Sequence, residues 1–254
     1  MKQLANKVAI ITGAGTGIGK VAALLFSAEG AAVVIADINR ESGEQVAGQI
    51  TSLGGKSLFV ETDVTRVKDV RYLVELTKQN FGCLHILYNN AGVNYFGNVT
   101  ATEEADWDRV MNTNVKGVFL MSKFSIPLIK SSGGGVIINT ASAAALVGLR
   151  NLAAYTASKG AVLALTRNIA LDYARDGIRC VALCPGVTAT EMTENVIQSD
   201  PDPVAARARF DRVIPRGSIA SPEEIARVAL FLASDASSYI TGAAIPVDGG
   251  YTAE

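Results

Sequence analysis

A tyrosine and a lysine four residues apart, Tyr155 and Lys159, form the pair in this sequence with the most distinctive chemistry. They open a segment whose apolar residues recur at helical spacing, and an i, i+4 separation places two side chains next to each other on a helix. A free tyrosine has a pKa of ~10 and is a poor base at neutral pH, but an adjacent ammonium group favours the phenolate and lowers that pKa. The pair is therefore a candidate general acid/base. Taken alone, the same spacing also describes a surface aromatic residue beside a solvated lysine.

Two polar residues earlier in the chain, Ser142 and Asn114, are candidates for assisting this pair. Ser142 comes just after a β-branched run at residues 136–140, where a hydroxyl can polarise a substrate oxygen; its alternative role is that of an ordinary loop residue. Asn114 interrupts an apolar helical face, and burying its amide costs about 1 to 3 kcal/mol unless its hydrogen bonds are satisfied. A structural role for Asn114 is therefore as well supported as a catalytic one. The apolar members of that face are Trp107, Val110, Met111, Val118 and Met121.

A glycine turn, Gly13-Ala14-Gly15-Thr16-Gly17-Ile18-Gly19, lies between an apolar run at residues 8–12 and a segment with helical periodicity. Glycine permits positive φ and a close approach of backbone N–H groups to a pyrophosphate, which the positive end of the following helix dipole also favours. The spacing is G-x-x-x-G-x-G and not the common G-x-G-x-x-G, so the order strand, turn, helix carries the interpretation. The alternative is a tightly packed turn without a ligand.

An acidic residue, Asp37, closes the second apolar run at residues 32–37. At this distance from the glycine turn an acid can accept hydrogen bonds from the ribose hydroxyls of a dinucleotide. It would repel a ribose 2′-phosphate by about 4 kcal/mol at ~4 Å, which is roughly a thousandfold in affinity. NAD is therefore preferred over NADP. Two alternatives remain at this stage: Asp37 could be a turn or N-cap residue, and Arg40 could reach toward a phosphate, although the glycine turn itself offers Thr16 and no cation.

Short β-branched runs alternate along the chain with longer segments of helical periodicity, which predicts a parallel sheet covered by helices on both faces. Seven runs are candidate strands, at residues 8–12, 32–37, 57–60, 84–89, 136–140, 178–184 and 243–247. One helical face is traced by Val70, Leu73, Val74, Thr77 and Phe81. Another helix, carrying Ile225, Val228, Ala229 and Leu232, is expected after Ser221, because Pro222 and Glu224 then fit the first helical position and a capping box.

The predicted fold class is thus α/β, a Rossmann-type doubly wound parallel sheet of about seven strands. No linker divides the sequence, so a single domain over residues 1–254 is expected. Residues 188–220 are polar and contain prolines between scattered apolar residues, and we expect this segment to form a substrate lid.

The composition describes a chain with a large core and no strong electrostatic field. Its 254 residues are 49% hydrophobic, with 23 lysines and arginines against 24 aspartates and glutamates. This balance argues against nucleic acid and anionic lipid as partners. No apolar stretch approaches the ~20 residues that span a bilayer, and the first residues lack the apolar centre of a signal peptide. A cytoplasmic location is therefore expected.

Metal and disulfide chemistry have little support in the sequence. Cys83, Cys180 and Cys184 lie in apolar runs without a metal-type spacing, and reduced, buried thiols are expected. His85 is the only histidine and is interpreted as structural. Neither a histidine-based catalytic triad nor a zinc site is expected.

In combination, these residues resemble the short-chain dehydrogenase/reductase family, in its compact branch, over essentially the whole chain. The resemblance rests on residues 12–19, Asn89-Asn90-Ala91-Gly92, Asn114, Ser142, Tyr155-x-x-x-Lys159 and Pro185-Gly186. It implies that Tyr155 gives or takes the proton and that Lys159 lowers its pKa and binds the nicotinamide ribose. It also implies that Ser142 holds the substrate oxygen and that Asn114 anchors a proton-relay water. Hydride then moves between a substrate carbon and nicotinamide, and no metal is implied.

The resemblance further implies a set of cofactor-binding residues. They are Gly13, Gly15, Thr16, Gly17, Ile18, Gly19, Asp37, Ile38, Asp63, Val64, Asn90, Ala91, Gly92, Tyr155, Lys159, Pro185, Gly186, Thr188 and Thr190. Two of these assignments have equally simple structural alternatives. Asp63 could be a helix cap, and residues 89–92 could stabilise the ends of the central strands without touching a ligand.

The expected function is NAD-dependent interconversion of a secondary alcohol and a ketone on a small cyclic, sugar-like or aliphatic substrate. Residues expected to face it are Ala143, Ala144, Asn94, Tyr95, Leu149, Val187 and Met192, whereas Arg207, Arg209 and Arg212 could bind an anion or form a solvated helix face. One alternative is a 3-oxoacyl (acyl-carrier) reductase using NADPH, although such relatives commonly carry a basic residue where Thr16 stands. Another is a dinucleotide-sensing protein without catalysis. The family resemblance also implies a homotetramer, with the helices that bear Asn114 and Tyr155 between subunits.

Overall fold

The computed structural model describes residues 2–198 and 200–253, and the strands of these residues form one parallel sheet. The strand order is β3-β2-β1-β4-β5-β6-β7. The strands are β1 (Val8–Thr12), β2 (Ala32–Asp37), β3 (Lys56–Glu61), β4 (Ile86–Asn89), β5 (Gly135–Thr140), β6 (Ile178–Pro185) and β7 (Ala244–Val247). The predicted Rossmann-type α/β fold is confirmed, and every predicted strand is present with its ends shifted by at most two residues.

Helices connect the strands and cover both faces of the sheet. They are α1 (Gly17–Ala28), α2 (Arg40–Ser52), α3 (Val67–Phe81), α4 (Glu104–Met111), α5 (Gly117–Ser131), α6 (Ala153–Tyr173), α7 (Glu191–Gln198), α8 (Pro203–Val213) and α9 (Pro222–Ala233). Helix α9 begins with the predicted capping box, in which Ser221 and Glu224 each bond the backbone N–H of the other.

Successive strand residues enter two different hydrophobic cores, because side chains alternate across a strand. In β1, Ile11 packs on the side that also holds Phe26 of α1 and Ile225 of α9. Ile10 packs on the opposite side with Leu73 of α3. The sheet is therefore buried on both faces, as a doubly wound parallel sheet requires.

The strand order reverses between β1 and β4, which are neighbours in the sheet. From β1 the chain proceeds outward to β2 and β3, and then returns to β4 on the other side. The loops that leave β1 and β4 consequently diverge and open a crevice at the carboxyl ends of these strands. In open α/β sheets, ligands bind in such a crevice.

The predicted continuous helical face over residues 107–121 requires a correction. Helices α4 and α5 are joined by a π-helical turn over Asn112–Lys116. A π turn accommodates one more residue than an α-helical turn and rotates the residues on either side of it relative to one another. Asn114 and Val118 are buried as expected, whereas Trp107 on α4 is 39% exposed.

The segment 188–220, expected as a substrate lid, contains the two helices α7 and α8. Its two ends meet in a parallel bridge between Thr188 and Ala220, with hydrogen bonds from the Ala189 N–H to the Ala220 carbonyl and from the Ala220 N–H to the Val187 carbonyl. The segment therefore leaves and rejoins the fold at one hydrogen-bonded point.

His85 has a structural role, as predicted. Its Nδ1 accepts a hydrogen bond of 3.0 Å from the Val8 backbone N–H at the start of β1. Burial, and to a lesser extent the Lys7 ammonium, lower the pKa of His85, which favours the neutral ring that can accept this bond.

The cysteines, the potential metal ligands and the lengths of the helices bear on the predictions about thiols, metals and membranes. All three cysteines are free; Cys180 and Cys184 are buried and Cys83 is half-buried. Within residues 2–198 and 200–253, His, Cys, Asp and Glu side chains do not form a group of three that could hold a metal ion. None of the helices in these ranges has both the length and the apolar character needed to cross a membrane.

Candidate functional site

Most of the predicted site residues lie at or just beyond the carboxyl ends of the parallel strands. The glycine turn follows β1, Asp37 ends β2, and Ser142 comes two residues after β5. Because parallel strands place their carboxyl ends at one edge of the sheet, these segments gather at the crevice between β1 and β4. Helix α6 brings Tyr155 and Lys159 to the same edge, since the Lys159 ammonium bonds the carbonyl oxygen of Thr140, the last residue of β5.

The glycine turn is shaped by close backbone contacts that exclude side chains. Gly13 has φ +61°, and a Cβ there would lie 2.9 Å from the Cα of Ala91. A Cβ on Gly19 would lie 2.2 Å from the Gly13 carbonyl oxygen. Thr16 precedes α1 without a side-chain cap, so side chains do not occupy the first N–H groups of the helix. A backbone anion site of this kind suits a pyrophosphate.

Thr12 and Asn90 join the glycine turn to the loop after β4. The Thr12 hydroxyl oxygen accepts hydrogen bonds of 3.0 Å from the backbone N–H groups of Asn90 and Ala91. The Asn90 side chain donates to the carbonyl oxygens of Thr12 and Gly13, at 3.0 and 3.1 Å. These bonds match the structural alternative for residues 89–92. Thr12 was not among the predicted binding residues, although a threonine that closes a buried strand was a usable signal.

The Asp37 carboxylate lies against the glycine turn. Its Oδ2 accepts a hydrogen bond of 2.8 Å from the Gly15 N–H, and its Oδ1 accepts one of 2.9 Å from the Asn39 N–H. The neighbouring Ile38 side chain is 67% exposed beside it. Asp37 therefore presents a negative charge at the mouth of the crevice, and it also holds the turn in place.

Arg40, the cation that could have reached a phosphate, has acidic partners. Its guanidinium lies 2.6 Å from Glu61 at the end of β3 and 3.4 Å from Glu44 on α2. The Glu61 carboxylate is the main cause that raises the pKa of Arg40. Arg40 thus points along the outer surface of β3, toward two carboxylates.

Asp63 and Val64 follow β3, and the Asp63 carboxylate is used locally. It accepts hydrogen bonds from the N–H and hydroxyl of Thr65, at 2.9 and 2.7 Å, and pairs with Arg66 at 3.2 Å. The helix cap considered for Asp63 is not formed, because Arg66 is the N-cap residue of α3 and no side chain caps it. Asp63 orders the turn before that helix. Val64 is buried against Gly117, where a Cβ would lie 2.8 Å from its methyl group.

Ser142 and Tyr155 form the reactive end of the site. Ser142 caps the short 3₁₀ turn Ala143–Ala145, with its hydroxyl oxygen accepting from the Ala144 N–H at 3.1 Å. Burial raises the pKa of Tyr155, and a side-chain hydrogen bond with Ser142 opposes that shift. The hydroxyls of Ser142 and Tyr155 are therefore neighbours.

The Lys159 ammonium is not one of the causes that shift the pKa of Tyr155 in the chain alone. The Lys159 ammonium lies 5.5 Å from the centre of the Tyr155 ring, over its face, and it donates a 2.8 Å hydrogen bond to the Thr140 carbonyl oxygen. Burial lowers the pKa of Lys159 itself to about 8, because the side chain is only 4% exposed. The cation therefore lies over the face of the tyrosine ring.

Asn114 is fully buried and fully bonded. Its Oδ1 accepts from the Val93 N–H at 2.8 Å, and its Nδ2 donates to the Val93 carbonyl oxygen and to the Ser158 hydroxyl, at 2.9 and 3.0 Å. The hydrogen bonds of the buried amide are therefore satisfied by neighbouring residues. These bonds fix the loop after β4, so that Gly92 passes next to Asn114 and the Lys159 ammonium.

The loop after β6 brings the remaining predicted residues to the crevice. Pro185 ends β6, and a Cβ on Gly186 would lie 2.7 Å from the Cα of Asp248, so this passage requires glycine. Thr188 is buried and bonds the Gly186 carbonyl oxygen. Thr190 contacts the glycine turn, since a Cβ on Gly17 would lie 3.3 Å from its methyl group.

A backbone pairing at the start of α6 was not predicted. The Gly97 N–H donates to the Asn151 carbonyl oxygen at 2.9 Å, and the Ala153 N–H donates to the Gly97 carbonyl oxygen at 3.1 Å. Leu152, at the helix N-terminus, gives no side-chain cap. Gly97 therefore supplies a partner for the first turn of the helix that carries Tyr155. Asn151, with φ +56°, is an asparagine in the left-handed region, which is a weak turn signal in the sequence.

The buried Lys159 ammonium leads to a prediction about stability. A pKa lowered from 10.5 to about 8 corresponds to roughly 3 kcal/mol of unfavourable burial at pH 7. Replacing Lys159 removes this penalty but also loses the hydrogen bond from its ammonium to the Thr140 carbonyl oxygen, which costs about 1 kcal/mol. We therefore expect Lys159→Met to raise the free energy of unfolding by about 2 kcal/mol at pH 7, while turnover is lost. Urea unfolding measures this, with Lys68→Met on the exposed surface of α3 as the control.

The pH dependence follows from the same shift. Between pH 8 and 10.5 the unfolded chain binds more protons at Lys159 than the folded chain. The free energy of unfolding of the wild type therefore increases as the pH rises through this range. The difference between wild type and Lys159→Met should therefore shrink from pH 7 to pH 9.5. A variant less stable than wild type at pH 7 would contradict the buried-charge interpretation.

Comparison with known proteins gives results consistent with this geometry. A family model described as "Enoyl-(Acyl carrier protein) reductase" matches residues 13–252. The chain is 43% identical to meso-2,3-butanediol dehydrogenase of Serratia marcescens, over 98% of this chain and 95% of that protein. It is 40% identical to cyclohexanol dehydrogenase of Acinetobacter sp. (strain SE19), over 98% and 96% of the two chains.

The solved structure of levodione reductase has the same fold over almost its whole length. The TM-score is 0.95 at 34% sequence identity, and the match covers 98% of this chain and 99% of the other. The fold, the crevice and these relatives lead to one conclusion: the chain belongs to the short-chain dehydrogenase/reductase family, whose members bind a nicotinamide dinucleotide.

Proposed function

We propose that this oxidoreductase uses NAD to interconvert a secondary alcohol and a ketone on a small cyclic, sugar-like or aliphatic substrate. The observation that carries the proposal is the juxtaposition of Ser142, Tyr155 and Lys159 beside the glycine turn. The two hydroxyls are neighbours, and a buried ammonium lies over the face of the tyrosine ring. The names of the butanediol and cyclohexanol dehydrogenases support an alcohol as the substrate.

The residues at the crevice fit a dinucleotide. The glycine turn offers uncapped N–H groups to a pyrophosphate, and Asp37 and the exposed Ile38 would hold the adenosine end. Lys159 would bind the nicotinamide ribose, and Thr188 and Thr190 would lie at the nicotinamide end. When bound, the nicotinamide ring supplies the acceptor or donor of the hydride.

The chain's own residues handle the proton. Tyr155 takes the proton from the substrate hydroxyl during oxidation and returns it during reduction. Ser142 donates a hydrogen bond to the same substrate oxygen, which keeps the reacting carbon in place. Burial raises the pKa of Tyr155, so the phenol is protonated at neutral pH and is set to act as an acid. The Lys159 ammonium beside the ring favours the phenolate once the proton has left.

The preference for NAD over NADP rests on three features of the crevice, at Asp37, Thr16 and Arg40. Asp37 places a carboxylate 2.8 Å from the Gly15 N–H, close to where an adenosine ribose would lie. Thr16 supplies no positive charge in the turn. Arg40 is paired with Glu61 and Glu44, so it would have to leave both partners to neutralise a 2′-phosphate.

A panel of secondary alcohols and ketones, assayed with each coenzyme by nicotinamide absorbance, tests the proposal. We expect NAD-dependent oxidation of small ring or chain alcohols such as cyclohexanol and 2,3-butanediol, with NADP much less effective. Absence of turnover with every alcohol and ketone, while NAD still binds, would instead support a non-catalytic dinucleotide-sensing protein.

A second candidate is a 3-oxoacyl (acyl-carrier) reductase that uses NADPH. The description of the matching family model, which names an acyl-carrier-protein substrate, favours it. Asp37 and Thr16 stand against it because they offer no positive charge to the extra phosphate of NADPH. Reduction of acetoacetyl thioesters with NADPH, faster than any NAD-linked alcohol oxidation, would promote this candidate.

We propose further that the chain acts as a single domain and that residues 188–220 close over the substrate. We also propose a cytoplasmic enzyme, supported by its three free thiols. Exposed apolar side chains on α5 and α6, Phe119 and Leu171, support burial of these helices between four subunits. Light scattering after size exclusion should give the mass of a tetramer, and a monomer at micromolar concentration would reject that assembly.

A further inference from the structure

Three segments surround the reacting groups and form the wall of the substrate site. Residues 91–97 pass next to the Lys159 ammonium at Gly92, and they pair with the start of α6 through Gly97. Residues 141–152 carry Ser142 and lead into α6. Residues 186–192 reach the glycine turn at Thr190.

These walls are almost free of charge. Residues 91–97, 141–152 and 186–192, all within the described part of the chain, contain two ionised side chains, Arg150 and Glu191, and both are exposed. Ala143 and Ala144, which follow Ser142 in the chain, are buried and apolar. An anionic group in such a site would lose its water, and the described residues of these wall segments would offer it no buried cation, which is strongly unfavourable.

Three of the four arginines in the 188–220 segment have acidic partners within it or next to it. Arg207 lies 2.6 Å from Glu194, and Arg209 forms an ion pair with Asp200. Arg216 lies 3.1 Å from Glu224 at the start of α9. To bind a substrate anion, each guanidinium would have to leave its carboxylate partner. The free energy of that ion pair would then be lost from the free energy of substrate binding.

The opposite rim, near Tyr95, is negative. Arg109 there pairs with Asp106 at 3.5 Å and bonds the Asn94 carbonyl oxygen at 3.4 Å. Desolvation, followed by the charges of Asp106 and Glu103, raises the pKa of Tyr95. A carboxylate or sulfonate that approached this rim would meet like charge. Arg150 and Arg212, which form no ion pair within the described part of the chain, are exposed side chains.

We infer that the substrate is an uncharged alcohol or ketone and that the site discriminates against carboxylate, sulfonate and phosphate groups. This inference rests on the proposed function and narrows it, because it excludes otherwise similar ring alcohols that carry an acid. It also disfavours substrates attached to a phosphopantetheine arm, whose phosphodiester is an anion.

A matched pair of substrates tests the inference. 4-Hydroxycyclohexanecarboxylate and its methyl ester share one ring and one reacting hydroxyl, and they differ in charge at the far end. With NAD, we expect kcat/KM for the ester to exceed that for the carboxylate by a hundredfold or more, with cyclohexanol close to the ester. Equal or better turnover of the carboxylate overturns the inference and leaves the proposed function standing. Turnover of neither compound, nor of cyclohexanol or any other alcohol, overturns the proposed function and the inference with it.

Two variants examine the unpaired arginines. Arg150→Gln and Arg212→Gln should each leave the ratio of ester to carboxylate turnover within about twofold of wild type. If either variant lowers carboxylate turnover tenfold while the ester is unaffected, that arginine binds a substrate anion and the inference is wrong. The buffer contains no phosphate or sulfate, so that these anions do not bind to the same arginine side chains.

Discussion

Tyr155→Phe should retain its fold and its affinity for NAD and lose turnover by a factor of about 10² to 10⁴, the usual contribution of a positioned general acid/base. Phenylalanine keeps the ring that lies over the Lys159 ammonium at 5.5 Å. It removes only the hydroxyl that neighbours Ser142. The loss should therefore appear in kcat for oxidation and reduction alike, with NAD binding within a few-fold of wild type.

A control for this substitution is available on the same helix. Tyr173→Phe removes a hydroxyl from the last residue of α6, five turns beyond Tyr155, and should leave turnover unchanged. The pH profile adds a second readout. Burial raises the pKa of Tyr155, so wild-type alcohol oxidation should increase as the pH rises from neutral, and residual activity of Tyr155→Phe should lack that increase. Turnover of Tyr155→Phe within a few-fold of wild type would remove Tyr155 from the acid/base role.

The parts of the molecule that follow from local signals were predictable from the sequence. Alternating β-branched runs gave the strands, because each buried parallel strand needs a short apolar run whatever its neighbours are. The glycine turn was recognisable because Gly13 and Gly19 permit backbone contacts that any side chain would block. The capping box at Ser221 is likewise complete within four residues.

The parts that depend on contacts between distant segments were not predictable. The pairing of Gly97 with Asn151 and Ala153 joins two loops that have no common pattern. The π turn at Asn112–Lys116 looks like continuous helix in the sequence, because the apolar residues before and after it recur at helical spacing.

The electrostatics of the site depend on contacts of the same kind. The i, i+4 spacing places Lys159 beside Tyr155, but it does not reveal that the ammonium bonds the Thr140 carbonyl oxygen or that burial outweighs its charge. Arg40 was ambiguous until Glu61, on a neighbouring strand, proved to be its partner. Whether a charged side chain has an ion-pair partner depends on which helices and strands pack together. The sequence pattern does not show this packing.

Replacing Asp37 should change the choice of coenzyme more than any other single substitution. Asp37→Asn removes the negative charge and keeps one oxygen to accept the Gly15 N–H bond of 2.8 Å. Removing a repulsion of about 4 kcal/mol at ~4 Å predicts that the ratio of kcat/KM for NAD over NADP falls by roughly two to three orders of magnitude. Asp37→Ala should relax the preference as well, but with a less stable turn, because the bonds to Gly15 and Asn39 are both lost.

Matched variants separate the ribose contact from a general loss of negative charge. Asp63→Asn neutralises a carboxylate after β3 that is used by Thr65 and Arg66, and it should leave the NAD to NADP ratio unchanged. Adding Glu61→Gln to Asp37→Asn removes the closer acidic partner of Arg40, so NADP should improve further as the guanidinium becomes available to the 2′-phosphate. If Asp37→Asn rejects NADP as strongly as wild type, the carboxylate does not face the ribose, and the preference for NAD must arise elsewhere in the crevice.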